Sequence, residues 1–288
     1  MRESHTSHEN HEKLPISQYA LKDLLQSSLL SSPAVSVTTE DLVTEATNLL
    51  PHHLETFTDS LVVVEDEKPV GLIGGLEILE GVLKNPDASF FAKTRIKEIM
   101  SKKLIILDND TTLGSLLDLW KQTGRAFALI PNEYHGYSAV SARKLLEVAM
   151  SCKTKLKVGD VSKRKIITFR KDQKVKEIIE SMFANKTRKL VLEGTSEFIS
   201  DRIIIQKISR DLNCLQCADN FLEMKGAAFV LDKAKKVSDQ MALEEGCKLL
   251  YEMQSPYLLL SDGVVTPWDV IMSLTSEDIQ YNWKSSKR

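Results

Sequence analysis

Residues 263–271 read Gly-Val-Val-Thr-Pro-Trp-Asp-Val-Ile, a short apolar strand that runs through Thr266 into an amphipathic helix. Thr266 can cap this helix, and Asp269 stands about one turn into it. Similar exit segments, each a strand followed by a helix, occur three more times, at 71–79, 137–146 and 198–205. Their strands end at small residues spaced by 67, 59 and 66 positions: Gly74, Ser141, Ser200 and Thr266. This recurrence predicts a chain built from four repeated units.

The same elements precede each exit segment, in the same order. An extended segment leads into an amphipathic helix, which is followed by a short apolar strand and a polar turn. The first helices are predicted near 41–50, 113–121, 175–183 and 243–253, and the strands near 61–64, 126–130, 190–192 and 257–260. A unit of about 60 residues is too small to bury a good core. We therefore expect the units to pair, in an α/β (α+β) fold whose small sheets are flanked by helices.

The composition narrows the functional classes. The 288 residues carry 38 Lys or Arg against 40 Asp or Glu, so the charge balance gives no general case for nucleic-acid binding. No apolar run approaches the roughly 20 residues that span a bilayer. The polar N-terminus does not resemble a signal peptide, and four cysteines in a chain of this length do not indicate a disulfide framework. The expected location is the reducing cytoplasm, without a membrane anchor.

Two further features are expected to carry no chemistry. Residues 1–14 form a polar tail with His5, His8 and His11, which we expect to be disordered. Cys214 and Cys217 form a lone Cys-x-x-Cys pair without the second pair that a zinc site needs. The sequence also lacks a nucleophile with a plausible partnered base. The prediction is therefore a protein that is not an enzyme and has no metal site.

The repeated pattern resembles that of CBS domains, which pair into Bateman modules. The exit motif at 263–271 matches the family pattern in full, and the short segments 96–100 and 158–161 resemble the helical lead-ins before family repeats. The resemblance covers roughly residues 15–275. It implies one pair at 15–150, with repeats at about 33–90 and 96–150, and a second pair at 155–275, with repeats at about 156–212 and 218–275. Residues 276–288 are then a polar C-terminal tail.

The resemblance also implies a ligand site. Paired CBS repeats bind adenosine-containing compounds such as AMP, ADP, ATP or S-adenosylmethionine, and no other cofactor is expected. In this reading Asp269 accepts hydrogen bonds from both ribose hydroxyls, because one carboxylate can serve two donors. Thr266 would contact the ribose or phosphate. The adenine would lie in an apolar slot near two short segments: Pro256 with Tyr257, and Val237 with Ser238.

The other three units depart from the motif. The position of Asp269 is taken by Glu77, Lys144 and Ile203 in the first, second and third units. Lys and Ile cannot accept hydrogen bonds from a ribose. Basic residues near the third and second units are candidates for phosphate contacts: Arg202, Arg188, Lys189 and Arg143. Two plainer interpretations stay open, in which these cations are solvated surface charges and Asp269 only caps its helix.

Two functions are consistent with this pattern. The first is a regulatory sensor that binds an adenosine compound and signals to a partner protein or a second copy of the chain. The four-repeat layout is similar to that of the gamma subunit of AMP-activated protein kinase. The second is a protein-interaction scaffold with little or no ligand binding, which the three degenerate motifs favour.

The tail gives a direct prediction. Because residues up to Leu14 are polar, their amides should exchange with solvent at close to unprotected rates in the isolated protein. Hydrogen exchange followed by NMR measures this, with the amides of the strand at 61–64 as the protected reference. Protected amide signals for His5 to His11 would contradict the expectation.

Overall fold

The structure is a computed structural model, and it describes residues 14–25, 33–52, 60–108, 110–132, 136–161, 164–210, 221–276 and 279–281. The expectations for the His-rich tail and for Cys214 and Cys217 concern residues outside these ranges. Units 1 to 4 below are the four repeats in chain order. The lead-in of a unit is the stretch that precedes its first helix.

Helices and short strands alternate along the described chain. The helices are α1 Leu21–Leu24, α2 Val43–His52, α3 Gly75–Lys84, α4 Ala88–Lys93, α5 Ile96–Ile99, α6 Leu113–Thr123, α7 Ala142–Met150, α8 Val158–Val161, α9 Val175–Ala184, α10 Asp201–Arg210, α11 Leu243–Glu252 and α12 Pro267–Ser273. The strands are β1 Ser36–Thr38, β2 Ser60–Glu65, β3 Lys68–Gly74, β4 Phe127–Pro131, β5 Tyr137–Ser141, β6 Cys152–Lys153, β7 Thr168–Phe169, β8 Lys189–Leu192, β9 Glu197–Ser200, β10 Asp232–Lys233, β11 Lys235–Lys236, β12 Leu258–Leu259, β13 Val264–Val265 and β14 Gln280–Tyr281.

Every unit is built around a hairpin between two helices. In unit 1 the antiparallel strands β2 and β3 are joined through Asp66 and Glu67, whose φ angles of 48° and 62° are those of a two-residue hairpin turn. The first helices begin within about two residues of the predicted positions, because their apolar residues recur at helical spacing. The predicted α+β fold class is confirmed.

Each lead-in pairs with two units. Its later part runs parallel to the strand after the first helix of its own unit, as β1 does along β2. Its earlier part pairs with the exit strand of another unit. The pairs are Ser101 with Leu72, Pro33 with Ser138, Asp232 with Phe198, and Arg164 with Val264. Units 1 and 2 thus exchange lead-ins with each other, and units 3 and 4 do the same.

The exchanged lead-ins also satisfy the starts of the first helices. The first residue of each such helix has a backbone N–H group that its own helix cannot satisfy. Here these groups donate to carbonyls of the partner's lead-in: Val43 to Thr94, Leu113 to Tyr19, Val175 to Met224, and Leu243 to Leu156. Residues 14–25 therefore belong to the lead-in of unit 1, and they dock on unit 2.

Apolar side chains join the units in two directions. The sheets of units 1 and 2 share a small core that includes Val62, Leu72 and Phe127, and those of units 3 and 4 share one that includes Phe198 and Tyr257. The helices pack the other way. Helix α10 of unit 3 packs on α2 and α3 of unit 1, and α11 and α12 of unit 4 pack on α7 of unit 2.

The ends of the described chain join the core of units 2 and 4. Leu21 and Leu24 of α1 are buried there, as is Ile279. Strand β14 pairs antiparallel with β6, which lies in the connection between the two predicted modules. The fold therefore continues past residue 275, into the segment predicted as a polar tail.

Gly75 marks the closest approach of units 1 and 3. A Cβ atom added at Gly75 would lie 2.0 Å from Oδ2 of Asp201, a carboxylate that is itself 2% exposed. The starts of α3 and α10 can approach this closely because glycine has no side chain. This contact places the buried Asp201 carboxylate at the centre of the molecule.

Substitution of Gly75 should therefore destabilise the protein. We expect Gly75→Ala to lower the free energy of unfolding by about 1–3 kcal/mol, the usual cost of overpacking. Urea denaturation measures this change. Gly136→Ala is the control, because an added Cβ there meets Asn132 at an ordinary 3.6 Å. Equal effects of the two substitutions would contradict the close approach.

Candidate functional site

One cavity lies where the four units meet. Its volume is about 590 Å³, and its walls come from the exit strands, the starts of the exit helices and the strands before them. From units 1 and 2 they include Ser60, Gly74, Gly75, Arg125, Phe127 and Arg143; from units 3 and 4 they include Arg188, Ser200, Asp201, Tyr257, Thr266 and Trp268. The convergence follows from the packing, because each exit helix begins at the central contact between units.

The cavity is strongly basic. Of the described residues that line it, one is acidic, Asp201, and seven are Lys or Arg: Arg125, Arg143, Arg164, Lys186, Arg188, Lys189 and Arg202. Glu77 and Asp269 each pair with one of these cations. With both of these carboxylates counted, cations still exceed carboxylates by four. A concave site with this excess attracts anions, because its walls focus the positive potential.

Asp269 and Thr266 adopt a capping box at the start of α12. Oδ2 of Asp269 accepts the backbone N–H of Thr266 at 2.9 Å and the Thr266 hydroxyl at 2.7 Å. Oδ1 lies 2.6 Å from Nε of Arg164, in the lead-in of unit 3. Asp269 is 8% exposed, so this carboxylate is buried with its charge compensated. Asp269 therefore caps its helix and also holds an arginine at the cavity.

Three predicted phosphate contacts reach the cavity from unit 3. Nε of Arg188 donates to Oδ2 of Asp201 at 2.7 Å, and the Arg202 guanidinium donates to the carbonyl of Leu50 at 3.2 Å. Lys189 donates to the carbonyl of Pro256 at 2.7 Å. Each of these cations is partly buried and bound to another group of the protein at the cavity wall.

The segment around Pro256 and Tyr257 lies at the cavity, as the adenine slot requires. The Lys189 ammonium lies 5.0 Å from the centroid of the Tyr257 ring, within range of a cation–π contact. Burial raises the pKa of Tyr257 to about 12, and Asp269 adds to the rise while Arg164 opposes it. Tyr257 therefore keeps its phenolic proton at neutral pH.

Val237 and Ser238 lie away from the cavity. Of the other predicted site residues, Thr266, Pro256, Tyr257, Arg202 and Arg188 line it, and Asp269 lies behind its wall, bound to Thr266 and Arg164. The backbone N–H of Val237 donates to the carbonyl of Leu259, and its side chain packs against the core of units 2 and 4. The Ser238 hydroxyl accepts the backbone N–H of Gln240. Because the lead-ins are exchanged, Arg164 from unit 3 stands beside Asp269 instead.

In the other three units, the residues at the position of Asp269 already contact other groups of the protein. Glu77 accepts two contacts from the Arg125 guanidinium, at 2.6 and 2.7 Å, and caps the N–H of Gly74. Lys144 is buried and donates to the carbonyl of Ala139 at 2.8 Å. Burial lowers the pKa of Lys144. Ile203 is buried in the core of units 1 and 3.

Arg143 connects unit 2 to the predicted adenine slot. Its guanidinium donates to the carbonyls of Met253 and Gln254, the latter at 2.9 Å, just past the end of α11. A cation at a helix C-terminus satisfies carbonyls that the helix leaves free. Arg143 therefore holds the segment that runs into Pro256 and Tyr257.

Sequence reasoning missed Arg125 and Arg164. Arg125 has a detectable signal, since Arg125 and Arg188 both stand one or two residues before the strand that follows the first helix. Aligning the units would have shown this correspondence. Arg164 has no such signal in the sequence. Its contact with Asp269 depends on the pairing of the lead-in of unit 3 with the exit strand of unit 4.

Comparison with known structures identifies the fold. No family model matches the sequence, and no curated protein matches it. Protein MJ1225 from Methanocaldococcus jannaschii, described as a proposed archaeal homolog of g-AMPK, has a TM-score of 0.73 and 17% identity, over 88% of this chain and 98% of that one. An uncharacterized conserved protein from Pyrococcus horikoshii has a TM-score of 0.52 and 12% identity, over 88% and 99% of the two chains.

A shorter structure, the CBS-domain containing protein ATU1752 from Agrobacterium tumefaciens, covers 46% of this chain with 94% of its own, at 16% identity and a TM-score of 0.39. At these sequence identities, the structural similarity shows a shared fold and nothing more. The fold is that of a CBS-domain protein with four repeats. Within the described ranges, no helix is long and apolar enough to cross a membrane, and no cluster of metal-ligating side chains occurs.

The partly buried Glu77–Arg125 pair gives a stability prediction. Arg125→Met leaves the Glu77 carboxylate without its counter-charge, and should lower the free energy of unfolding by about 3 kcal/mol. Urea denaturation of this variant and of the double variant with Glu77→Gln measures the effect. The double variant should recover part of the loss.

The control is Lys121→Met on the same helix end, because Lys121 pairs with Asp118 on the surface, where both side chains are about half exposed or more. Its effect should stay within about 0.5 kcal/mol. An Arg125→Met variant as stable as this control would show that the buried pair contributes nothing.

Proposed function

We propose that the chain is a non-catalytic regulatory protein that binds a phosphorylated adenosine compound in the central cavity and signals to a partner protein or a second copy. The observation that carries the proposal is the central cavity, which is shared by all four units and rich in Lys and Arg. Its volume of about 590 Å³ is suited to a small ligand, since ligand pockets commonly measure about 300–1,000 Å³.

The charge of the cavity favours some adenosine compounds over others. AMP, ADP and ATP bring two or more negative charges at neutral pH. S-adenosylmethionine brings a sulfonium and an ammonium group against one carboxylate. Arg143 of unit 2 and Arg188 and Arg202 of unit 3 line the cavity, and guanidinium groups match phosphate oxygens in both charge and geometry. We therefore place the nucleotides ahead of S-adenosylmethionine.

The adenosine part of the proposal rests on unit 4. Thr266 and Asp269 keep the family motif, and Tyr257 offers a buried aromatic ring beside them. Aromatic and apolar side chains with a few convergent polar groups are typical of small-molecule sites. That the chain is not an enzyme stays a prediction from the sequence.

A ligand in this cavity would act on the arrangement of the units. Its walls belong to units that meet through separate interfaces, so a bound nucleotide would stabilise the arrangement in which all of them contact it. Such a shift of population is what a sensor transmits. The signal would reach a partner protein that binds the ligand-bound and the ligand-free arrangements of the units differently.

The scaffold hypothesis keeps one observation in its favour. Three cavity arginines already face carboxylates of the chain, Arg125 at Glu77, Arg164 at Asp269 and Arg188 at Asp201. A cavity in which several arginines are paired in this way can be a stable structural centre without a ligand. If the parent protein binds none of AMP, ADP, ATP and S-adenosylmethionine at millimolar concentration, the scaffold becomes the better account.

The sensor hypothesis predicts a specific loss. Asp269→Ala should weaken AMP binding at least tenfold, because a hydrogen bond to a charged group contributes roughly 1.5–3 kcal/mol. Calorimetric titration measures the affinity, and thermal unfolding confirms that the variant is folded. Asp118→Ala is the matched control, a carboxylate on the exposed surface of α6. A folded Asp269→Ala protein that binds AMP as tightly as the parent would refute the site assignment.

A further inference from the structure

The Asp269 carboxylate is almost fully used before any ligand arrives. It accepts the backbone N–H and the hydroxyl of Thr266, both at Oδ2, and the Arg164 guanidinium at Oδ1. A carboxylate has about four lone-pair positions, so these three donors leave about one. A ribose presents two adjacent hydroxyl donors. Both cannot bind Asp269 while all three present donors stay in place.

The donor that can leave is Arg164. Both Thr266 groups belong to the capping box at the start of α12, so removing them would open the helix. Arg164 belongs to a different unit, and its side chain is 43% exposed, whereas that of Asp269 is 7% exposed. The guanidinium is therefore the mobile partner of a fixed carboxylate.

We infer that Arg164 makes this site selective for phosphorylated adenosine compounds over adenosine itself, by exchanging Asp269 for the ligand's phosphate. The inference rests on the proposed function. Adenosine displaces the guanidinium from Asp269 and offers no anion in return. A nucleotide takes the same carboxylate for its ribose and supplies a phosphate for the displaced arginine.

The surroundings make an unpaired Arg164 unfavourable. Arginine keeps its charge at all accessible pH values, and six other Lys or Arg residues line the same cavity. A ligand phosphate can replace the Asp269 carboxylate as the counter-charge of the displaced guanidinium. The pairs Arg125–Glu77 and Arg188–Asp201 are different, because neither carboxylate belongs to a motif that also keeps a hydroxyl at the cap and an aspartate three residues on.

The test compares two ligands on the same variants. Arg164→Gln removes the charge and keeps much of the length. It should bind adenosine more tightly than the parent, because the competitor for Asp269 is gone. The AMP affinity should rise much less, because the same substitution also removes a phosphate contact. The ratio of AMP affinity to adenosine affinity should fall at least tenfold. Calorimetric titration with adenosine and AMP measures both affinities.

The matched control is Arg95→Gln. Arg95 is similarly exposed, at 48%, and pairs with Glu40 on the surface of unit 1. Its ratio of affinities should equal that of the parent. If Arg164→Gln folds poorly, as thermal unfolding would show, Arg164→Lys decides the question. Lysine keeps the charge but lacks the planar fork, so adenosine should still bind more tightly than to the parent.

The outcomes separate this inference from the proposed function. A parent protein that binds neither AMP nor adenosine contradicts the proposed function, and the inference with it. A parent that prefers AMP, together with a folded Arg164 variant that keeps the same ratio, leaves the proposed function standing and overturns the exchange. A fall of at least tenfold in the ratio of AMP affinity to adenosine affinity supports it.

Discussion

A single unit on its own would have two unsatisfied features: the free edge of its exit strand, and the unpaired N–H group at the start of its first helix. Both are completed by the lead-in of the partner unit. Pro33 pairs with Ser138 and Ser101 with Leu72 across units 1 and 2, while Arg164 pairs with Val264 and Asp232 with Phe198 across units 3 and 4. Unpaired strand edges and buried orphan donors are costly. The exchange removes both costs together, so that neither unit of a pair is complete alone.

The exchange of lead-ins also determines which side chains meet at the cavity. Because the lead-in of unit 3 lies along the exit strand of unit 4, Arg164 meets Asp269. The helical packing of unit 1 on unit 3, and of unit 2 on unit 4, then directs the starts of the exit helices to one centre. Gly75 permits the tight contact at Asp201. The result is a cationic cavity in which the buried carboxylates hold several of the arginines in place.

The sequence predicts the helices and hairpins of the four units, but it does not predict which segments distant in the chain contact each other. Local periodicity placed the four first helices and the hairpins, since the apolar residues of a helix or strand reveal which face is buried. Thr266 and Asp269 lie together as their spacing requires. The position of Val237 shows the limit. Its segment was expected beside the ligand, but the strand exchange puts a lead-in from another unit there.

Long-range partners explain the other differences as well. The contact between Arg143 and the carbonyl of Gln254 joins residues 111 positions apart, and nothing in the local pattern of either segment encodes it. The same is true of Arg202 at Leu50. These contacts turn cations that look like solvated charges in the sequence into parts of one wall.

The most direct test of the account is a crystal structure of the chain grown with AMP. The account predicts one AMP molecule in the central cavity, with its ribose hydroxyls on Asp269, its adenine beside Tyr257 and its phosphate among the arginines. Arg164 should be turned from Asp269 toward the phosphate. An AMP molecule bound outside the cavity, or an empty cavity in crystals of a protein saturated with AMP, would contradict it.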